Sequence, residues 1–180
     1  LGAQGVVANI TCQQVGGIYT VIRSKVPTVV GHWGHRYCTI GPYNPQVSPT
    51  EFEESQPTGF YRDVLRSLHE LGIEARYGHW LITGRPRAVL INPRSVFPRL
   101  PEIKYLYWEH HGIAFHAEDD LVNQVLAFGW AVENFFRAVA RAQAVRRPMI
   151  AHFHEWMGGA AIPELRRANV PVAIVFTTHA

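Results

Sequence analysis

The segment Ala151-His152-Phe153-His154-Glu155-Trp156 concentrates more chemistry than any other part of the chain. Residues two apart on a strand face the same side, so His152 and His154 form an imidazole pair. A glycine pair and a helical pattern follow at once. Such strand-to-helix junctions are where open α/β sheets hold their ligands. Three readings fit the spacing. An H-x-H pair can hold zinc, although Gly158 stands where H-E-x-x-H would need its second histidine, so further ligands would come from elsewhere among the 10 histidines. Alternatively, one imidazole faces a ligand at the strand tip while the other packs beneath it. The third reading is a pair of satisfied core or cap histidines. Glu155 suits the free amides of a helix's first turn better than acid–base work, since no partner acid stands nearby in sequence. Trp156 is expected to pack.

A second junction lies near the N-terminus, at Gly16-Gly17. Paired glycines let backbone amides approach an anion, and the helix start adds partial positive charge, which suits a pyrophosphate. The pattern is neither G-x-G-x-x-G nor a P-loop, and on its own a plain tight turn explains it better. Thr177-Thr178-His179 would bring a third histidine to the same sheet edge as His154. Asn123 opens the long helical segment, where its amide reaches a site or the surface. His110-His111 and His116 fall in an irregular stretch. Cys12 and Cys38 have neither metal-like spacing nor a disulfide framework and read as reduced structural thiols.

The elements that must position these residues follow from periodicity. A first strand is expected over Gly5 to Thr11 and a helix over Ile18 to Val26, stopping before Pro27. Arg36 to Ile40 alternates as a strand. Asn44 to Gly59 is a polar, proline-containing loop with one extended piece. Phe60 to Leu71 repeats Val64, Leu65, Leu68 and Leu71 on one helical face, with Gly72 as its cap. Ile73 to Ile82 and Arg87 to Ile91 are strands about Gly84-Arg85-Pro86. Pro93 to Gly112 is irregular or short-helical, and the packing of its Tyr105-Tyr107-Trp108 cluster in the core competes with stacking on sugars. Glu118 to Arg147 is a long amphipathic helix, with acids at its start and arginines at its end as the helix dipole favours. Met149 to Phe153, Met157 to Ala168 and Pro171 to Thr178 then read strand, helix, strand. The expected class is α/β, a Rossmann-like parallel sheet with helices on both faces.

The chain has 180 residues, about one domain, and its 47% hydrophobic and 12% aromatic content suffices for a core. No repeat or low-complexity tract is present. No apolar run reaches the roughly 18 residues of a membrane span, and no leader is legible, so a soluble cytoplasmic protein without a membrane partner is expected. Net charge is +3, and the cluster Arg137, Arg141, Arg146, Arg147 reads as a solvated helix face. Without interleaved aromatic residues it does not suggest nucleic acid. A start at Leu1 and an end just after Val172–Phe176 suggest a piece of something longer.

Five segments occur here in the order seen in glycogen synthases of the animal and fungal type, a group with bacterial members. They are Val15-Gly16-Gly17-Ile18-Tyr19-Thr20-Val21, Gly41-Pro42-Tyr43, Tyr77-Gly78-His79-Trp80-Leu81-Ile82 with Gly84 and Pro86, Ala151-His152-Phe153-His154-Glu155-Trp156, and Phe176-Thr177-Thr178-His179-Ala180. The chain resembles that family over nearly its whole length. The resemblance implies a retaining GT-B glycosyltransferase with two Rossmann-like domains facing across a cleft. Such an enzyme moves glucose from UDP-glucose to the non-reducing end of an α-1,4-glucan, without metal or further cofactor. Residues 1–180 would be most of the N-terminal, acceptor-side domain, with the C-terminal nucleotide-binding domain outside this chain. A homo-oligomer fits the full-length protein.

By the same resemblance, Gly16 and Gly17 match the glycine pair against the donor diphosphate, and His154 matches the histidine against the donor glucose. His179 matches a histidine near the cleft. Asn123 matches the first residue of an Asn-Asp pair, here followed by Gln124. The family usually carries Lys or Arg just before Val-Gly-Gly, where this chain has Gln14; Ile10-Thr11-Cys12 departs too. A neutral amide can only hydrogen-bond to the leaving phosphate, so altered donor affinity is expected. Two other classes compete: a metal-dependent hydrolase using His152, His154 and His179, and a non-catalytic glucan-binding domain.

Overall fold

The computed structural model describes residues 6–10, 17–46, 48–115, 119–143 and 148–178. Seven strands form one sheet: β1 (Val6–Ile10), β2 (Tyr37–Pro42), β3 (Phe52–Glu54), β4 (Ala75–Trp80), β5 (Arg87–Ile91), β6 (Met149–His154) and β7 (Ala173–Thr177). Their order is β3-β4-β5-β2-β1-β6-β7. The stretch β5-β2-β1-β6-β7 is parallel, while β4 runs antiparallel to both β3 and β5. The sheet is therefore mixed, which corrects the all-parallel expectation. Gly84 (φ 89°) and Arg85 (φ 41°) fold β4 straight back onto β5, a connection too short for a parallel crossover.

Helices cover both faces. On one lie α3 (Gly59–Glu70), α4 (Leu100–His111), α5 (Asp120–Ala142), α6 (Glu155–Gly159) and α7 (Ile162–Arg167). Their core joins Val64, Leu68, Phe128, Val132, Phe135 and Phe136 to strand residues Cys38, Ile40, Val89, Ile91, Ala151 and Phe153. Asp119 caps α5 by accepting from the Val122 amide at 3.0 Å. At the end of α3, the Ile73 amide reaches the Leu68 carbonyl and the Gly72 amide reaches that of His69, with Gly72 at φ 78°. That is the Schellman pattern the glycine foretold.

The opposite face carries α1 (Gly17–Trp33) and α2 (Ser48–Glu51). Ile22 and Val26 are buried there with Tyr37, under Val29, Val30, Trp33, Trp80 and Ile82. That cluster explains why α1 runs through Pro27 instead of ending before it. A proline inside a helix costs about 3 kcal/mol, and burying two such aliphatic side chains returns about 1.5–3 kcal/mol each.

Three other expectations are adjusted. The polar loop after β2 holds α2 as well as the extended piece, β3. The helix expected over Met157 to Ala168 is split into α6 and α7, because Gly158-Gly159 propagates a helix poorly and Pro163 starts a new first turn. The long helix stops at Ala142, with Gln143 already extended. Among the described residues no helix is long and apolar enough to cross a membrane.

Candidate active site

The imidazoles of His152 and His154 stack with centroids 4.2 Å apart and planes 33° from parallel. They alternate with the buried Ala151 and Phe153 and so lie on the α1 face of the sheet. His152 Nε2 lies 2.8 Å from the Thr177 hydroxyl oxygen, and the strand register pairs His154 with Thr177. The H-x-H pair and the start of the Thr-Thr-His segment are thus fastened at one strand end. His154 is the deeper of the two histidines, 1% exposed, at the N-cap of α6. Immediately after it, Glu155 adopts φ 60°. A left-handed residue with a side chain costs roughly 1–2 kcal/mol, and such strain concentrates at functional sites. Here it turns the chain sharply from β6 into α6.

Three of the residues expected from the sequence fall within the described chain. Gly17 opens α1, His154 closes β6, and Asn123 lies in the first turn of α5. Gly16 and His179 lie outside the described residues, as do Cys12, Gln14 and His116. Strands β1 and β6 are parallel neighbours with Ile10 opposite Phe153, so the chain leaves both toward their helices at the same sheet edge. Asn123 donates its amide to the Asp119 carbonyl at 2.9 Å, and its side-chain Oδ1 is buried. The next residue, Gln124, borders a cavity of about 620 Å³ together with Pro42, Tyr43, Asn92 and Arg94. Those residues follow the carboxyl ends of β2 and β5. Ligand pockets typically span about 300–1,000 Å³.

One pairing had no signal in the sequence. The Tyr19 hydroxyl donates to Glu51 Oε1 at 3.0 Å, and the Tyr19 ring meets Trp80 edge-on at 5.2 Å. Burial, with Glu51 beside it, raises the Tyr19 pKa. Glu51 Oε2 is buried and lacks a hydrogen-bond partner among the described residues. Glu51 sits in a stretch that reads only as polar loop. Its neighbours Tyr19 and Trp80 belong to two of the recognised segments, so packing across α1 brings those segments together. Gly78 has its own reason: a Cβ there would lie 2.0 Å from the Glu53 carbonyl oxygen.

Three aromatic and histidine expectations change, and the expectation for Cys38 holds. Trp156 is 53% exposed and does not pack. Of the Tyr105-Tyr107-Trp108 cluster, only Tyr107 enters the core. His110 and His111 end α4 and are half-buried. Cys38 is a buried free thiol, pushed by burial up to about 12.

Residues 6–180 match the family model described as glycogen synthase. The chain is 35% identical, over 97% of its length, to a glycogen [starch] synthase of Neurospora crassa, and covers 25% of that protein. It is 36% identical to the liver glycogen [starch] synthase of Mus musculus, over 93% of this chain and 24% of that one. With a Dictyostelium discoideum glycogen [starch] synthase it shares 35% identity over 93% of its length and 19% of the relative's. The chain therefore spans about a quarter or less of these curated relatives.

Proposed function

This chain belongs to the glycogen synthase family, and from that premise we propose that it is the N-terminal, acceptor-side Rossmann-like half of a retaining GT-B glycosyltransferase. The whole enzyme moves glucose from UDP-glucose to the non-reducing end of an α-1,4-glucan. Residues 1–180 supply one wall of the cleft, and a C-terminal nucleotide-binding domain supplies the other. The single observation that carries this reading is the in-register pairing of β1 with β6. It sets the carboxyl end of β1, the strand that precedes α1 and Gly17, beside the carboxyl end of β6 with His154.

Breaking the anomeric C–O bond leaves positive charge on the sugar ring and negative charge on the diphosphate. Catalysis then rests on fixed dipoles aimed at both. Amides of Gly16 and of Gly17, the first residue of α1, stabilise the diphosphate. The His154 segment holds the glucose with its backbone carbonyl turned toward the developing cation; the left-handed turn at Glu155 fixes that carbonyl's direction. His179 and Asn123 contact substrate around the cleft. The acceptor hydroxyl enters from the face UDP leaves, which retains configuration. Gln14, in place of a cation, weakens the hold on the leaving phosphate. Amides and basic side chains carry that charge without a metal.

The test is transfer of labelled glucose from UDP-glucose to glycogen by the full-length protein. Products must be linear α-1,4 extensions released by an exo-acting amylase. Hydrolysis of UDP-glucose without extension would overturn the proposal. For the 180-residue chain by itself, the expected rate is background.

A further inference from the structure

On the face away from the His152–His154 pair, the last turn of α4 meets α7. His110 Nδ1 lies 3.0 Å and His111 Nε2 2.8 Å from the same carboxylate oxygen, Oε1 of Glu164. The three donor atoms all fall within 4.8 Å of one another. Neighbours in a helix normally point about 100° apart. Here both imidazoles converge, at the point where Gly112 (φ 66°) ends α4. Glu164 is buried, and both imidazoles are only 20% exposed.

The charged groups that touch Glu164 and the two imidazoles have assignable parts. Arg167 Nη2 and Nε hold Glu164 Oε2 at 2.9 and 3.0 Å, and Nε also reaches Oε1 at 3.1 Å. The carboxylate is thus oriented with Oε1 turned to the imidazoles. Glu109 Oε2 stands 3.7 Å from His110 Nε2, the ring nitrogen turned away from Glu164. Arg137 is bound to Glu133 at 2.7 Å.

We propose that His110 Nδ1, His111 Nε2 and Glu164 Oε1 bind a divalent transition-metal ion of the zinc class, joining the end of α4 to α7. Two imidazoles and a carboxylate are a zinc donor set, with the fourth position open to water. Tetrahedral bonds of about 2.0–2.1 Å place neighbouring donor atoms roughly 3.3 Å apart. The two imidazole–carboxylate separations, 2.8 and 3.0 Å, require a spread of only a few tenths of an ångström, and the two imidazole nitrogens lie within 4.8 Å of each other. Glu109 beyond His110 and Arg167 behind Glu164 supply the outer partners that metal ligands characteristically have.

The experiment strips the protein with EDTA, removes the chelator, and titrates zinc by calorimetry and cobalt(II) by visible absorption. The expected result is one equivalent bound, with tetrahedral cobalt bands. H110A, H111A and E164Q, each checked for folding by circular dichroism, should lower affinity at least tenfold and bleach the bands. H152A should keep them. Should the variants fail to fold, acylation of the unmodified protein by diethyl pyrocarbonate, mapped by peptide mass spectrometry, decides. Zinc must shield His110 and His111 together. A folded protein that binds no equivalent, cobalt bands unchanged in the H110A/H111A double variant, or equal acylation with and without zinc would each overturn the site.

Discussion

His152 reaches across from β6 to Thr177 on β7, ring nitrogen to hydroxyl, at 2.8 Å. This contact locks two distant parts of the sequence into one rim and sets the ring against which His154 stacks. T177V keeps the shape and removes the hydroxyl. We expect a loss of about 1 kcal/mol in chemical denaturation, with reduced kcat in the full-length enzyme. T177S should restore both; restoration of stability without activity would show that the contact is merely structural.

His154 is buried beneath the proposed donor glucose, so its removal should cost catalysis more than folding. H154A in the full-length enzyme is expected to lower kcat on the order of 10²-fold or more, while stability falls by about 1 kcal/mol. Glucose incorporation and thermal melts measure the two, and equal free-energy losses would remove His154 from the catalytic account.

Gly78 shows why a recognised segment tolerates no side chain at its centre. Its Cβ would strike the Glu53 carbonyl oxygen and carbon and the Phe52 ring, two of these being main-chain atoms that cannot swing away. G78A should therefore pry β3 from β4 and destabilise by on the order of 3 kcal/mol. A melting temperature within a degree of the parent would contradict that packing.

Glu164 gives a pH dependence of definite sign. Burial pushes its carboxyl up, but hydrogen bonds from Arg167, His111 and His110 outweigh burial and hold it down to about 2, against an ordinary 4.5. A depressed carboxyl stabilises the fold above its unfolded value and loses that contribution as pH falls from about 4.5 through about 2. The contribution is up to about 3 kcal/mol at neutral pH. Denaturation curves recorded with EDTA present should show E164Q less stable at pH 7 and flatter across that acid range. Parallel curves for the two proteins would refute it.

What could be read ahead of the structure was local. Val125, Phe128, Val132 and Phe136 announce α5 by their spacing, and Gly72 announces the end of α3, because both signals lie within a few residues of what they specify. The reversal of β4 was hidden by the parallel grammar of the second half, though Gly84-Arg85-Pro86 already marked the turn. Pro27 stops a helix in isolation and failed as a stop signal here, since the burial that overrides it comes from Trp80 and Ile82, more than fifty residues later. Glu51 and Tyr19, 32 positions apart, and His110 and Glu164, 54 apart, meet only through tertiary packing. No periodicity carries such information. The recognised segments around Pro42, His154 and Thr177 fared better because each closes a strand of the parallel part of the sheet, which gathers those ends at one edge.

Pro27 has one more effect. Without an amide hydrogen, it leaves the Arg23 carbonyl with no intrahelical donor. The opening turns of α1, which carry Gly17 and Tyr19, are therefore joined to the rest of the helix by one fewer rung. A helix bends most readily where a rung is missing, so any curvature of α1 concentrates between Arg23 and Pro27.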